Sequence, residues 1–302
     1  MKTLYTLQST NIRKTWIIFV IFLIIVIGLG WVFSYVYNDS TILYVAVIFS
    51  VLMNVVAYWN SDKIALSLAK AHLVTQESHK ELFRIVENLC ISQGMPMPKI
   101  YIIDDPSANA FATGRNPIHA SLAITQGLLD ILDRSELEGV IAHELSHIKN
   151  YDILVGTVVV VLVGFISIVA DIFMRTLWLG GGRSRDNKQS NPIMLIVAIG
   201  AAILAPIAAT LIQLAISRKR EYLADASGAL MTRFPQGLAS ALEKISKTPP
   251  LKKVSSATAH LYLVSPLRAD SQNQQQKIPF LARLFMTHPP IEDRIKALQE
   301  AS

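Results

Sequence analysis

Charge is what this sequence has least of. Only 17% of its 302 residues are Asp, Glu, Lys or Arg, 52% are hydrophobic, and the mean hydropathy is +0.40. That balance excludes an ordinary soluble domain and makes a membrane protein the default. Cysteine is nearly missing: Cys90 stands alone, so no internal disulfide forms and nothing calls for an oxidising compartment. Internal repeats are absent, as is any nucleic-acid-binding module, and the net charge of +6 with a pI near 9.3 needs only an anionic lipid surface. The long apolar runs hold almost no ionisable residues, which argues against a transporter carrying a metal-binding domain. Asp171 and Arg175, one helical turn apart near the end of one run, read as an interfacial ion pair rather than a proton relay.

What is present begins with four apolar runs, Trp16 to Tyr37, Thr41 to Trp59, Ile153 to Leu179 and Ile193 to Ser217. Each is near the length of about 20 residues that crosses a bilayer core as a helix. The first exceeds the roughly 7–15-residue core of a signal peptide and ends "GWVFSYVYND", without a small-residue cleavage pattern. It is expected to be a retained anchor. Lys2, Arg13 and Lys14 precede it, and Arg218, Lys219 and Arg220 follow the fourth run, so both termini are expected on the cytoplasmic side. The loop "GGGRSRDNKQSN" carries Arg183, Arg185 and Lys188 against Asp186 and favours the inside too, in conflict with a hairpin that crosses twice.

The resulting division is 1–59 for two amino-terminal membrane helices, 60–152 and 218–302 for two halves of one split catalytic domain, and 153–217 for a transmembrane or partly embedded hairpin. In the first half, Leu82, Ile85, Val86, Leu89 and Cys90 repeat at helical spacing, and Gly94 with Pro96 ends that helix. "PKIYIID", "ANAFATG" and "ASLAITQ" predict short strands. Ser135 and Glu138 form a capping-box pattern ahead of the next helix. The stretch "DSQNQQQK" from Asp270 to Lys277 lacks the apolar content to pack and predicts a loop.

That next helix carries His143-Glu144-Leu145-Ser146-His147. Positions i and i+4 share a helix face, so both imidazoles can address one ion, with Glu144 beside them as a base. Neutral imidazole suits Zn²⁺, and a zinc held by three protein groups lowers the pKa of its water to about 7. The best third ligand lies in "SRKREYLADASGALM", where Glu221 and Asp225 again stand at i and i+4. Glu221 completes a two-histidine, one-carboxylate set, and Asp225 can accept an N–H from a ligand histidine and fix its tautomer. Since the histidines precede the third run and Glu221 follows the fourth, a shared ion requires the two runs to cross the membrane an even number of times. Helical rise then puts the metal within roughly 10 Å of the bilayer surface.

With these motifs in order, the chain resembles the HtpX-type membrane zinc metalloproteases, gluzincins related to the CaaX prenyl protease group. Two amino-terminal spans, "NAFATG", "HELSH", two further apolar runs, "EYLAD" and "THPPIEDR" carry the resemblance. It implies an α+β fold, a multi-span helical membrane protein whose mainly helical, zincin-like catalytic domain carries a small β-sheet. His143, His147 and Glu221 would bind one Zn²⁺ and Glu144 would act as base. "NAFATG" would be an edge strand that pairs with substrate, with Asn109, Ala110 and Phe111 at the cleft. His288 and Arg294 would orient substrate and stabilise the oxyanion. The implied role is cleavage of unfolded or damaged membrane proteins at the bacterial inner membrane, alongside other quality-control proteases.

The competing reading is a non-catalytic membrane scaffold in which zinc only joins the two halves. Glu144 weighs against it, because a structural site needs no base. His72, His79, His119 and His260 have no partner pattern and read as structural or solvated.

Overall fold

The computed structural model describes residues 4–180, 217–249, 258, 261–264 and 289–300. Helices α1 (Leu4–Tyr37) and α2 (Thr41–Leu68) are joined by a tight turn in which Asn38 takes a left-handed conformation. Trp16, Val20, Ile24 and Trp31 on α1, and Tyr44, Val45, Ile48 and Leu52 on α2, point outward. So much exposed apolar surface is unstable in water and suited to lipid. Among the described residues, these two helices are long and apolar enough to cross a membrane. The fourth apolar run, its preceding basic loop and the glutamine-rich stretch lie outside the described residues.

Beyond α2 the chain forms β1 (His72–Leu73), α3 (Lys80–Gln93), β2 (Lys99–Ile103), β3 (Ala110–Gly114), β4 (Ala120–Thr125) and the short α4 (Gln126–Ile131). Gly94 ends α3 in the left-handed conformation that glycine adopts without penalty, at φ 61°. The sheet runs β1-β2-β4-β3, with β2 and β4 parallel and the other pairs antiparallel, so β3 lies at an edge. Alternation decides what each face touches. Ile100, Ile102, Ala110, Ala112, Leu122 and Ile124 enter one core, while Ile103, Phe111 and Ala123 meet Leu66 and Tyr262 on the other face.

Helix α5 (Arg134–Lys149) starts earlier than the expected cap. Asp133 sits in an extended conformation and accepts from the Glu136 N–H, and Glu136 accepts in return from the Asp133 N–H. Ser135 instead donates to Asp133, and Glu138 pairs with Arg134. The carboxylate two residues upstream takes the capping position because its oxygen reaches the free N–H at the third helical position.

At Tyr151, which has φ 59°, the chain turns sharply into α6 (Asp152–Gly180), and the two helices meet at 82°. The third apolar run therefore does not continue the helix of the histidines, so the distance from metal to bilayer expected from continuous helical rise does not apply. Val155 and Val158 to Leu162 of α6 are buried against Ile18 and Phe22 of α1 and Ala57 and Ala65 of α2. Among the described residues follow α7 (Arg218–Thr232), α8 (Pro235–Ser246) and α9 (Ile291–Glu300); α7 and α8 pack onto α5, and α9 packs onto both of them. A single core joins Leu82 and Ile85 of α3 and Val140, Ile141 and Leu145 of α5 with Leu238 and Leu242 of α8 and Leu298 of α9.

Candidate metal centre

Glu221, Asp225 and Gly228 stand at i, i+4 and i+7 on α7 and share one face. That face lies directly on α5. A β-carbon at position 228 would come within 3.0 Å of the His143 backbone nitrogen, so the glycine allows the approach that carries both carboxylates to the histidines.

The two Nε2 atoms of His143 and His147 stand 3.1 Å apart, with Glu221 Oε2 3.9 Å from the first and Oε1 3.7 Å from the second. Each ring has a carboxylate on its other nitrogen: Asp225 Oδ1 lies 2.9 Å from His143 Nδ1, and Asp152 Oδ2 lies 3.0 Å from His147 Nδ1. Both Nδ1 positions thus hold a proton as donors, which leaves both Nε2 lone pairs aimed at one point. Two lone pairs so close repel unless a cation or proton lies between them. Donors around a tetrahedral Zn²⁺ at about 2.0–2.1 Å stand roughly 3.3–3.4 Å from each other, so this donor set fits a divalent metal.

The protonation balance agrees. Burial holds His143 down at about 4, only partly opposed by Asp225. Burial pushes His147 the same way, yet Asp152, Glu221 and Glu144 overcome it and raise His147 to about 9. The pocket is built to hold one positive charge. Glu144 is buried beside it, and burial lifts its carboxyl to about 7, with His147 lowering it, Glu221 raising it and the Ala112 N–H lowering it by hydrogen bonding to the carboxylate.

Arg294, expected at the substrate, sits instead behind His143. It is fully buried, and its Nε and Nη2 donate to the two Asp225 oxygens at 2.8 and 2.6 Å, while Nη1 donates to the Leu263 carbonyl at 3.1 Å. Helix α9 lies against α7 and α8, and that packing turns its fourth residue inward.

The expected open edge strand is also different. All five residues of β3 are buried. Asn109 Nδ2 donates to the Val264 carbonyl at 2.7 Å and Oδ1 accepts from the Val264 N–H at 3.2 Å; the Ala110 carbonyl accepts from the Leu263 N–H at 2.9 Å. Phe111 packs edge-on to Tyr262 in the core, at 5.0 Å between ring centres. At the other end the Gly114 N–H donates to the Thr157 hydroxyl of α6 at 3.3 Å. Between them, the Ala112 N–H meets Glu144. His288 lies outside the described residues.

Sequence reading placed His143, Glu144, His147, Glu221 and Asp225 together without error of proximity, and missed Asp152. A signal was available: a carboxylate five residues after the second histidine, at a helix break. Among the described residues the side chains of His72, His79 and His119 meet Asp104, Ser78 and Asn116 at the surface, and His260 lies outside the described residues.

Residues 76–302 match peptidase family M48. A protease HtpX homolog of Caldanaerobacter subterraneus subsp. tengcongensis is 46% identical over 304 residues, covering 99% of this chain and 98% of the relative. The protease HtpX homolog of Dictyoglomus thermophilum is 48% identical over 299 residues, covering 98% and 94%, and that of Lactobacillus acidophilus is 41% identical over 304, covering 98% and 99%. The fold is similar to the crystal structure of S. mikatae Ste24p, with a TM-score of 0.51 at 19% identity over 97% of this chain and 67% of that one. With a family match over most of its length and relatives that align almost end to end, the chain belongs to peptidase family M48, as an HtpX-type membrane metallopeptidase.

Proposed function

We propose that the protein is a zinc-dependent endopeptidase of the bacterial inner membrane that cuts unfolded or damaged membrane proteins on the cytoplasmic side. The observation that supports it most is the convergence of two histidine Nε2 atoms and the Glu221 carboxylate beside a buried Glu144 whose carboxyl is raised to about 7. His143, His147 and Glu221 would hold the zinc. When bound, Zn²⁺ supplies the Lewis acidity that makes water nucleophilic near neutral pH. Glu144 takes the proton from the attacking water and passes it to the nitrogen of the departing amine as the peptide C–N bond breaks. Asp225 and Asp152 hold the two imidazoles, and Arg294 holds Asp225. His288 orients substrate, a role carried over from the resemblance alone.

An extended substrate would reach β3 only at Ala112, between the ends that Leu263 and Thr157 occupy and in exchange for the Ala112–Glu144 contact, while Asn109 keeps the 263–264 segment in line with that strand. Main-chain pairing of this kind gives broad sequence preference, which suits a quality-control enzyme. Arg218 and Lys219 are exposed at the start of α7 and face anionic headgroups; Arg220 turns inward to Asp152, at 3.4 Å.

The test is Glu144→Gln in detergent-purified protein, with zinc content and cleavage of casein and of a membrane-protein substrate measured together. Zinc should stay bound while cleavage falls by at least about 10²-fold, the range for a positioned proton-transfer group. Cleavage at the parental rate would refute the assignment. The scaffold reading predicts no zinc-dependent cleavage by the parent at all.

A further inference from the structure

Asn11 is a buried amide in α1, a helix otherwise committed to the membrane. Its Nδ2 donates to Asp152 Oδ1 at 2.6 Å and to the Asn150 carbonyl at 2.9 Å, and its Oδ1 accepts from Arg220 Nη1 at 3.2 Å. One side chain from the first membrane helix therefore touches the end of α5, the start of α6 and the start of α7. Asp152 is the carboxylate on His147: Oδ2 takes the His147 Nδ1 proton at 3.0 Å, and Oδ1 faces Asn11 and Arg220.

We propose that Asn11 is a positioning residue for the metal site, holding Asp152 so that His147 keeps its tautomer and its aim, and that the docking of the first membrane helix thereby sets metal affinity. First, a carboxylate with two oxygens and several donors around it can rotate. Occupying Oδ1 with the Asn11 amide and the Arg220 guanidinium leaves Oδ2 for the imidazole, so the carboxylate plane is determined from outside the metal site. Residues that hold a ligand histidine typically contribute 10- to 100-fold in metal affinity, and a residue one bond further out is expected to contribute less. Second, the same amide satisfies the Asn150 carbonyl, one of the groups a helix end leaves without an intrahelical partner; this anchors the 82° corner that brings Asp152 back to His147. Third, Ile18, Phe19 and Phe22 seat α1 on α6 by apolar packing, so the helix can dock there without a buried amide at position 11. A buried amide costs stability unless its partners are met, and here its partners are those of the metal ligand.

The proposal rests on His147 being a zinc ligand. Asn11→Asp is the sharpest probe, because it keeps the shape, keeps the acceptor for Arg220, removes both donated bonds and sets a carboxylate against Asp152. The full-length protein in detergent is titrated with zinc against a chelator, and with Co²⁺ to record its ligand-field absorption, for the parent, Asn11→Asp, Asp152→Asn and the double variant. Asn54→Ala is the control: Asn54 of α2 donates to the Phe19 carbonyl of α1 at 3.3 Å, so it also ties down the first helix, but away from Asp152.

Expected are a zinc Kd weaker by about tenfold or more in Asp152→Asn and by about three- to tenfold in Asn11→Asp. The double variant should lose much less than the product of the two, because both act through one carboxylate. The Co²⁺ spectrum should shift in both single variants, and Asn54→Ala should leave Kd and spectrum as in the parent. An unchanged Kd and spectrum in folded Asn11→Asp, a fully multiplicative loss in the double variant, or an equal loss in Asn54→Ala each overturns the proposal while leaving the metal assignment standing. Full zinc binding by His147→Ala overturns both.

Discussion

The guanidinium of Arg294 meets the carboxylate of Asp225 through two nitrogens, at 2.6 and 2.8 Å, directly behind the ring of His143. This bidentate pair is buried, which makes it costly to break from one end. Arg294→Ala should lower stability by about 3–5 kcal/mol, because it strands a buried carboxylate, and Arg294→Lys should recover little, since an ammonium cannot reproduce the fork. Removing both charges with Asp225→Asn and Arg294→Met should restore more than half of the loss. Urea unfolding of the detergent-solubilised variants, followed by tryptophan fluorescence, measures this. Burial pushes the Asp225 carboxyl upward, but Arg294 and His143 outweigh it and hold it below the ordinary 3.8. Its contribution is therefore present above about pH 4 and is lost as pH falls through the lowered value.

Gly228→Ala adds one methyl where α7 lies on the His143 backbone, 3.0 Å from its nitrogen. Backbone cannot rotate away as a side chain can. A cost of about 1–3 kcal/mol is expected, together with weaker zinc binding, because any shift of α7 carries Glu221 with it. Equal zinc affinity in the variant would show that α7 and the ligand move independently.

Glu144 gives a pH prediction with a defined sign. Its folded value, about 7, lies above the ordinary 4.5, so the buried neutral form is favoured and metal-free protein loses stability as pH rises from about 4.5 to 7. Glu144→Gln removes that penalty. The metal-free variant should be more stable than the metal-free parent at pH 8, by at most about 3 kcal/mol, and the gap should close near pH 4.5. Activity runs the other way: the ionised form is the base, so kcat/KM should fall as pH is lowered through the carboxyl value, which a bound cation draws below 7.

Cys90 is buried, and burial pushes its thiol up to about 11. At pH 8 the native protein should react with a maleimide only as it opens, and denaturant should bring labelling to one thiol per chain. Rapid labelling of the folded protein would mean that α3 leaves its place on α5.

Local patterns in the sequence specified a good deal. The i, i+4 spacing puts His143 with His147, and Glu221 with Asp225, because helix geometry allows no other outcome once the helices form. Apolar length marked α1 and α2, since a bilayer core demands about 20 such residues, and Gly94 marked the end of α3 because few residues adopt its conformation. Capping was less legible: Asp133 and Ser135 both suit an N-cap, and the backbone torsions that choose between them are settled by where α5 docks. Only the tertiary structure decided that α5 and α6 meet at 82°, which turns Asp152 onto His147; that Arg294 faces inward to Asp225; and that Leu263 and Thr157 occupy the ends of β3. The Asn109–Val264 contact beside β3 joins residues 155 apart, and Asn11 reaches Arg220 across 209. Sequence periodicity reports which face of an element is apolar, whereas the identity of the partner on that face depends on how several elements pack at once.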